Sequence, residues 1–336
     1  MLRTDLDFEF PESLIATSPQ RPSRVMHVGP GLEPQEISLD QLIELPQAGD
    51  VWILNQTKVL KRRVFAGELE ILFLNEVSPL HWNVLFPSKA LKIGDQIQLP
   101  EGVTMTLTQK GRPQVVQVSA ALTVDYFERH GEVPLPPYIQ KARAERHNTP
   151  QDESWYQTFW AATPGSLAAP TASLHFERRH LERLSAKGVH VLPVTLHVGL
   201  GTFLPVTAED LKNHLMHSEE VEVPLATWDR IQLARAQGHR VWAMGTTVAR
   251  SLESVPAEKL NKTSDAYRGE TDLMILPGFE FRVVDCLMTN FHQPQSTLLA
   301  LVAAFSSLER VKACYQWAIA RKFRLFSYGD LSVWIK

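Results

Sequence analysis

The second half of this chain alternates helix-patterned and strand-patterned segments, and that alternation limits its fold more than any other feature. Residues 177–187 read as a helix, with Gly188 as its stop signal. Residues 189–198 read as a buried strand. Residues 225–237 are again helical and are closed by Gly238. A strand over 240–244 runs into a helix over 246–253, and Ser296 is placed to cap an apolar helix over 297–305. The last long helix is expected over 308–321. Such alternation predicts an α/β layered domain.

The first half is different. Strand-like runs at 51–54, 64–66, 69–74, 81–85, 96–99, 103–107 and 115–118 are separated by Gly94-Asp95, Glu101-Gly102 and Gly111 with Pro113. Short, closely spaced strands with turn signals predict a sandwich or small barrel. The expected architecture is an α/β main domain, residues 1–64 and 126–336, with an inserted all-β, barrel-like domain over 65–125. The proline-rich stretch 134–150 reads as an irregular connector. A chain of 336 residues fits about two domains.

Composition narrows the function classes. The formal net charge of -3 argues against indiscriminate coating of nucleic acid, although local basic patches exist. Two cysteines, Cys286 and Cys314, make neither a disulfide framework nor a metal knuckle. The longest uninterrupted apolar run, 298–305, is far short of the ~20 residues of a membrane helix. The opening MLRTDLDFEF has no apolar stretch of the signal-peptide kind. The expectation is a cytoplasmic, monomeric protein with no permanently bound cofactor and no metal.

Three places can carry chemistry. In VWAMGTT (241–247) a strand meets Gly245 and then a helix opened by Thr246 and Thr247, with Arg250 one turn on. Ligands of α/β sheets bind at the carboxyl ends of strands, and helix N-termini attract anions. Simple capping, with Arg250 in a surface ion pair, is the plainer alternative. In HVGLGTF (197–203) two glycines follow a strand, but Leu204 stands where a dinucleotide fingerprint needs a third. In DCLMTNFH (285–292), followed by Ser296 and Thr297, Asp285, Asn290 and His292 suit acid/base work or a satisfied core histidine. His214 and His217 lie near Glu219, yet no third metal ligand stands at a recognisable spacing. Basic residues cluster at Lys58, Lys61, Arg62 and Arg63, at Lys141, Arg143 and Arg146, and at Arg178, Arg179 and Arg183. Trp155 and Tyr156 offer possible stacking surfaces beside the second cluster.

Taken in order, PTASLHF (170–176), HVGLGTF (197–203), HSE (217–219), GTT with Arg250, TNFH with Ser296 and Thr297, and FSYGD (326–330) resemble the S-adenosylmethionine:tRNA ribosyltransferase-isomerase family of queuosine synthesis. DFEFP (7–11), GDVWILNQTKV (49–59) and LPPYI (135–139) extend the resemblance over almost the whole chain. Gln56, Lys58 and Ser173 depart from the family pattern of aspartate, arginine and glycine.

The resemblance implies transfer and isomerisation of the ribosyl part of S-adenosylmethionine onto 7-aminomethyl-7-deazaguanine at the wobble position of tRNA. The product is epoxyqueuosine, and adenine and methionine leave. Its motifs nominate His175, His197, Glu219, Asp285 and His292 as catalytic. They nominate Thr202, Gly245, Thr246, Thr247, Arg250, Asn290, Ser296 and Thr297 for S-adenosylmethionine. Lys58, Arg62, Arg63, Lys141, Arg143 and Arg178 are the candidates for tRNA. An S-adenosylmethionine-dependent RNA methyltransferase and a non-catalytic tRNA-binding paralogue are the competing readings.

Overall fold

The computed structural model describes residues 1–336 apart from 88, 200 and 202–205. In chain order the first strands are β1 (Arg24–Val28), β2 (Gln35–Ser38), β3 (Val51–Asn55) and β4 (Thr57–Val59), with helix α1 (Leu39–Glu44). Then come β5 (Arg63–Ala66), β6 (Leu69–Ser78), β7 (His81–Leu85), β8 (Gln96–Gln98), β9 (Thr104–Gln109) and β10 (Gln114–Val118). Helix α2 (Val124–His130), strand β11 (Gly131–Glu132), helices α3 (Pro137–Arg143) and α4 (Asp152–Trp155), and strand β12 (Thr163–Ser166) lead to the second half. There α5 (Arg178–Ala186), β13 (His190–Leu196), β14 (Glu219–Pro224), α6 (Leu225–Ala236), β15 (Val241–Met244) and α7 (Thr246–Ser254) alternate. The chain continues through β16 (Asn261–Lys262), β17 (Ala266–Thr271), β18 (Cys286–Asn290), α8 (Thr297–Phe305), α9 (Leu308–Ala320) and β19 (Leu331–Ile335).

The main sheet is mixed, in the order β16-β17-β14-β13-β3-β15-β18-β19-β1-β2. Its centre, β13-β3-β15-β18, is parallel, and β14 and β19 run antiparallel on either side. These central strands read as continuous apolar runs because both faces are covered. Along β3, Val51 and Ile53 enter one core while Trp52 and Leu54 enter the other. Along β15, Val241 and Ala243 alternate with Trp242 and Met244 in the same way. Trp52 stacks on Trp242 at 5.7 Å between ring centroids, which locks two adjacent strands on one face.

Gly188 and Gly238 follow α5 and α6 at φ +85° and +79°, the left-handed position that ends helices. Ser296 accepts from Leu299 N at 3.2 Å and caps α8 as the sequence suggested.

The second sheet is antiparallel, in the order β11-β5-β6-β7-β10-β9-β8, around its own core of Phe73, Trp82, Val84, Met105, Leu107 and Val116. Among the described residues its end strands β11 and β8 do not pair with each other, so the sheet is open rather than a closed barrel. It takes strands from Arg63 to Glu132.

The stretch 134–150 is not wholly irregular. It contains α3, whose first residue is Pro137. A proline at that position has no hydrogen bond to lose and a preset φ, so here it starts a helix rather than a loop.

Candidate active site

The sheet topology decides which motif residues can meet. The parallel strands β13, β3, β15 and β18 end at Leu196, Asn55, Met244 and Asn290 on one edge. The antiparallel neighbours begin there, β14 at Glu219 and β19 just after Asp330. This carboxyl edge is where open α/β sheets bind ligands.

Two clusters form on it. Around β13 and β3, Asn55 ends its strand with a buried amide. Its Nδ2 donates to Leu196 O at 2.9 Å, and its Oδ1 accepts from Thr57 N and Leu196 N, each at 3.1 Å. That amide ties the ends of the two strands together and orients Thr57, whose hydroxyl lies 2.7 Å from His197 Nδ1. The imidazole rests on Gly165, where an added Cβ would fall 2.7 Å from ring atoms, so only glycine permits the approach. Burial pushes His197 below its usual pKa, so the ring is neutral near pH 7. Its Nε2 has no partner among the described residues.

Beside it, Glu219 and Arg250 form a buried ion pair at 2.5 Å, with side chains 6% and 7% exposed. Gly199 N donates to the other oxygen of Glu219 at 3.2 Å. Arg250 Nε and Nη2 have no partner. Buried donors left unmade cost roughly 1–3 kcal/mol each, and an anionic ligand would satisfy them.

Arg250 projects from α7, which opens at Gly245 with φ +103° and no side-chain cap. Its first N–H groups therefore face the same edge unpartnered within the helix. Thr246 is buried there, and Thr247 Oγ1 is 3.5 Å from Asn55 Nδ2. The surface ion pair that was the plainer alternative for Arg250 is ruled out by this burial.

The second cluster surrounds β18. His175 sits in a 3₁₀ turn (Thr171–His175), 7% exposed. Ser23 Oγ lies 2.6 Å from its Nδ1, and Asn290 Nδ2 donates to its Nε2 at 3.1 Å. The ring proton is therefore on Nδ1 and is donated to Ser23. Burial first, then the Arg21 and Arg324 charges, pushes the imidazole down to about 3. A narrow cavity lined by Gln20, Arg21, Ser23, His175 and Tyr328 reaches the ring. Asn290 Oδ1 and Ser173 Oγ are buried without partners nearby. On the opposite sheet face, Thr289 Oγ1 lies 2.8 Å from His292 Nε2, and loss of hydration pushes His292 to about 3.

Not every nominated residue reaches this edge. Asp285 precedes β18 and accepts from Val241 N at 2.8 Å at the amino edge. The length of β18, 5 residues, puts it about 16 Å from Asn290, so it supports the sheet instead of the site. Ser296 uses its hydroxyl on the α8 cap and on Gln293 O at 2.7 Å. Thr297 is the first residue of α8. Thr202 lies outside the described residues.

Among the basic residues, Arg63 is buried, bound to Glu132 at 2.6 Å and Asn148 at 2.5 Å. Arg62 is held against the rings of Phe127 and Trp82, 4.2 and 5.0 Å from their centroids. Arg143 grips Asp152 with two nitrogens, at 2.6 and 2.8 Å. Internal partners occupy Arg63 and Arg143, whereas Arg62 Nη1 is buried without a hydrogen-bond partner. Lys58, Lys141 and Arg178 remain exposed. Tyr156, 1% exposed, cannot stack on a base, and Trp155 packs toward Tyr328. Among the described residues no three His, Cys, Asp or Glu side chains gather as a metal site.

Ser23, Asn55, Thr57 and Gly165 were missed by sequence reasoning. Asn55 alone left a signal, as the polar end of an otherwise apolar strand.

Fold and site together define an α/β protein whose carboxyl edge, the candidate ligand site, combines neutral histidines, a buried ion pair and unpartnered donors. The family model described as "Queuosine biosynthesis protein" matches residues 3–334. A relative from Burkholderia orbicola is 41% identical over 97% of this chain and 95% of its own length. One from Parvibaculum lavamentivorans is 40% identical over 97% of both. Each is named S-adenosylmethionine:tRNA ribosyltransferase-isomerase. The crystal structure of an S-adenosylmethionine tRNA ribosyltransferase from Thermotoga maritima superposes with a TM-score of 0.55 at 28% identity, covering 98% of this chain and 99% of that one. The chain belongs to the queuosine biosynthesis protein family.

Proposed function

We propose that this chain is an S-adenosylmethionine:tRNA ribosyltransferase-isomerase. It moves the ribosyl part of S-adenosylmethionine onto 7-aminomethyl-7-deazaguanine at the tRNA wobble position, with isomerisation to the epoxycyclopentanediol and loss of adenine and methionine. The observation that carries this is identity of 41% and 40%, over 97% of the chain, with proteins named for that activity.

The chemistry makes three demands. The sulfonium acidifies the adjoining carbon, so a base must take a proton there. Adenine leaves only when it is protonated. The attacking amine must be neutral. Each positioned proton carrier is typically worth about 10²–10⁴ in rate.

In this reading His197 is the foremost carrier, because it is neutral and has one nitrogen uncommitted. His292 is the second, with Nε2 held by Thr289. His175 has both nitrogens engaged by Ser23 and Asn290, which suits it to fixing Asn290 rather than moving protons. Arg250, the start of α7 and Glu219 take the aminoacyl end of S-adenosylmethionine. The free guanidinium donors receive its carboxylate, and Glu219 faces its ammonium.

The His197 and Asn290 strands are three strand spacings apart, about 14 Å, so one extended substrate spans both clusters. The antiparallel sheet, whose strands run from Arg63 to Glu132, is proposed as a separate domain, wider than the 65–125 expected from the sequence. The protein works as a cytoplasmic monomer on tRNAs with queuosine-type anticodons.

The test is turnover by the full chain with S-adenosylmethionine and tRNA carrying the 7-aminomethyl base, followed by nucleoside analysis. Equal amounts of free adenine and epoxyqueuosine are expected. S-adenosylhomocysteine in place of adenine would mean methyl transfer and would overturn the proposal.

A further inference from the structure

Among the described phenylalanine, tyrosine and tryptophan residues, Phe159 alone is exposed, at 44%. Every other described ring of these three types is buried or partly covered, including Trp155 and Tyr156 just before it. Packing therefore does not explain Phe159: its outer surface stabilises nothing in the fold.

Its neighbour is equally unusual. The Arg178 guanidinium lies 5.3 Å from the Phe159 ring centroid. The arginines around it are neutralised, Arg179 by Glu177 and Arg183 by Asp40 and Glu44. Among the described residues Arg178 has no carboxylate partner, and neither does the exposed Lys58.

The pair is fixed to the carboxyl edge from two sides. Trp160 meets Phe159 edge-on at 4.7 Å and donates from Nε1 to Asn55 O at 3.0 Å, at the end of β3. Arg178 opens α5 three residues after His175. Lys58 lies on β4, which follows Asn55 and pairs with β12 just beyond Trp160.

We propose that Phe159 and Arg178 form a platform on which one base of the substrate RNA stacks, with the adjoining phosphates held by Arg178 and Lys58. The inference rests on the reading that the chain acts on tRNA. It adds the side from which the RNA reaches the site. An exposed ring beside unpaired cations is the combination by which proteins hold unpaired bases. A base lifted out of a loop also exposes the face that such a platform needs.

The test is equilibrium binding of the full chain to an anticodon stem-loop RNA carrying 7-aminomethyl-7-deazaguanine, with S-adenosylmethionine affinity and turnover measured in parallel. Phe159→Ala is expected to weaken RNA binding about 5- to 150-fold, the range given by loss of one base–aromatic stack. Phe159→Trp is expected to retain binding, and S-adenosylmethionine affinity is expected to hold in both, which also reports an intact fold. Lys58→Ala and Arg178→Ala are each expected to lower the salt slope of RNA binding by about 0.7. Unchanged RNA affinity in Phe159→Ala, with wild-type turnover present, overturns the platform alone. RNA binding that depends on Phe159, with no adenine released by the wild type, supports the platform and overturns the catalytic reading.

Discussion

At the amino edge of the main sheet, Asp50 accepts from Arg240 N at 2.9 Å, Gln47 N at 3.0 Å and the Trp242 indole at 2.9 Å, and Asp285 accepts from Val241 N at 2.8 Å. At the carboxyl edge, Arg250 Nε and Nη2, Asn290 Oδ1 and Ser173 Oγ are buried with no partner. The same strands connect the two edges. At one edge the carboxylates are used internally and hold the sheet together. At the other, a guanidinium, an amide oxygen and a hydroxyl keep unused hydrogen-bonding capacity. Buried polar groups in folded proteins are nearly always paired; orphans also occur elsewhere, the Trp52 indole and Arg230 Nε among them, so it is the coincidence of orphans with the strand ends and the start of α7 that singles out the carboxyl edge.

The largest effect is expected at the Glu219–Arg250 pair. Arg250→Ala leaves a carboxylate buried without its cation, a change that costs about 3–5 kcal/mol. Urea unfolding should show that loss together with weakened S-adenosylmethionine binding, and the Arg250→Ala, Glu219→Ala double variant should recover part of the stability. Full stability in the single variant would break the contrast between the edges.

Asp50→Ala makes the complementary change. It orphans buried donors at roughly 1–3 kcal/mol each and should lower the unfolding midpoint while turnover by the folded enzyme stays near wild type.

The pH dependence has a definite sign. His175 is held neutral, with a pKa of about 3 against 6.5 when unfolded. The unfolded chain therefore binds the extra proton between those values, and stability falls as pH drops from 6.5 toward 3. The slope is up to about 1.4 kcal/mol per pH unit for this residue. Unfolding of wild type and His175→Gln at several pH values should show a shallower decline in the variant. Parallel curves would place the His175 ring in a more hydrated setting.

Gly245→Ala forces a Cβ into backbone at φ +103°, although the nearest atoms, at 3.6 and 3.8 Å, leave it room. With ψ at 157° this is the extended positive-φ region kept almost wholly to glycine, so the cost is backbone strain alone, roughly 1–3 kcal/mol, read as a lowered Tm. Ser296→Ala should be smallest, about 1 kcal/mol for a lost helix cap, with S-adenosylmethionine affinity unchanged. A loss of that affinity would return Ser296 to the binding site.

The regular elements were legible wherever one local rule governed them. β3, β13 and β15 are apolar on both faces, and α5, α6 and α8 carry their own stop or cap residues, so short windows of sequence were enough. Helix α3 was hidden because Pro137 reads as a breaker unless its position in the helix is known.

The site was legible by residue type and obscured by distance. Asp285 and Asn290 are neighbours in sequence, yet a strand carries them to opposite edges. Arg63 looked free because Glu132, its partner, is 69 residues away. Ser23 meets His175 across 152 residues, with no pattern in the sequence to announce it.

The most direct test of the division between edges is adenine release from S-adenosylmethionine in the presence of substrate tRNA, compared for wild type, His197→Gln and Asp285→Asn. The wild type should release adenine, Asp285→Asn should keep most of that rate once folded, and His197→Gln should lose about 10²–10⁴-fold. Equal losses at the two positions, or full activity in His197→Gln, would contradict the assignment of the chemistry to the carboxyl edge.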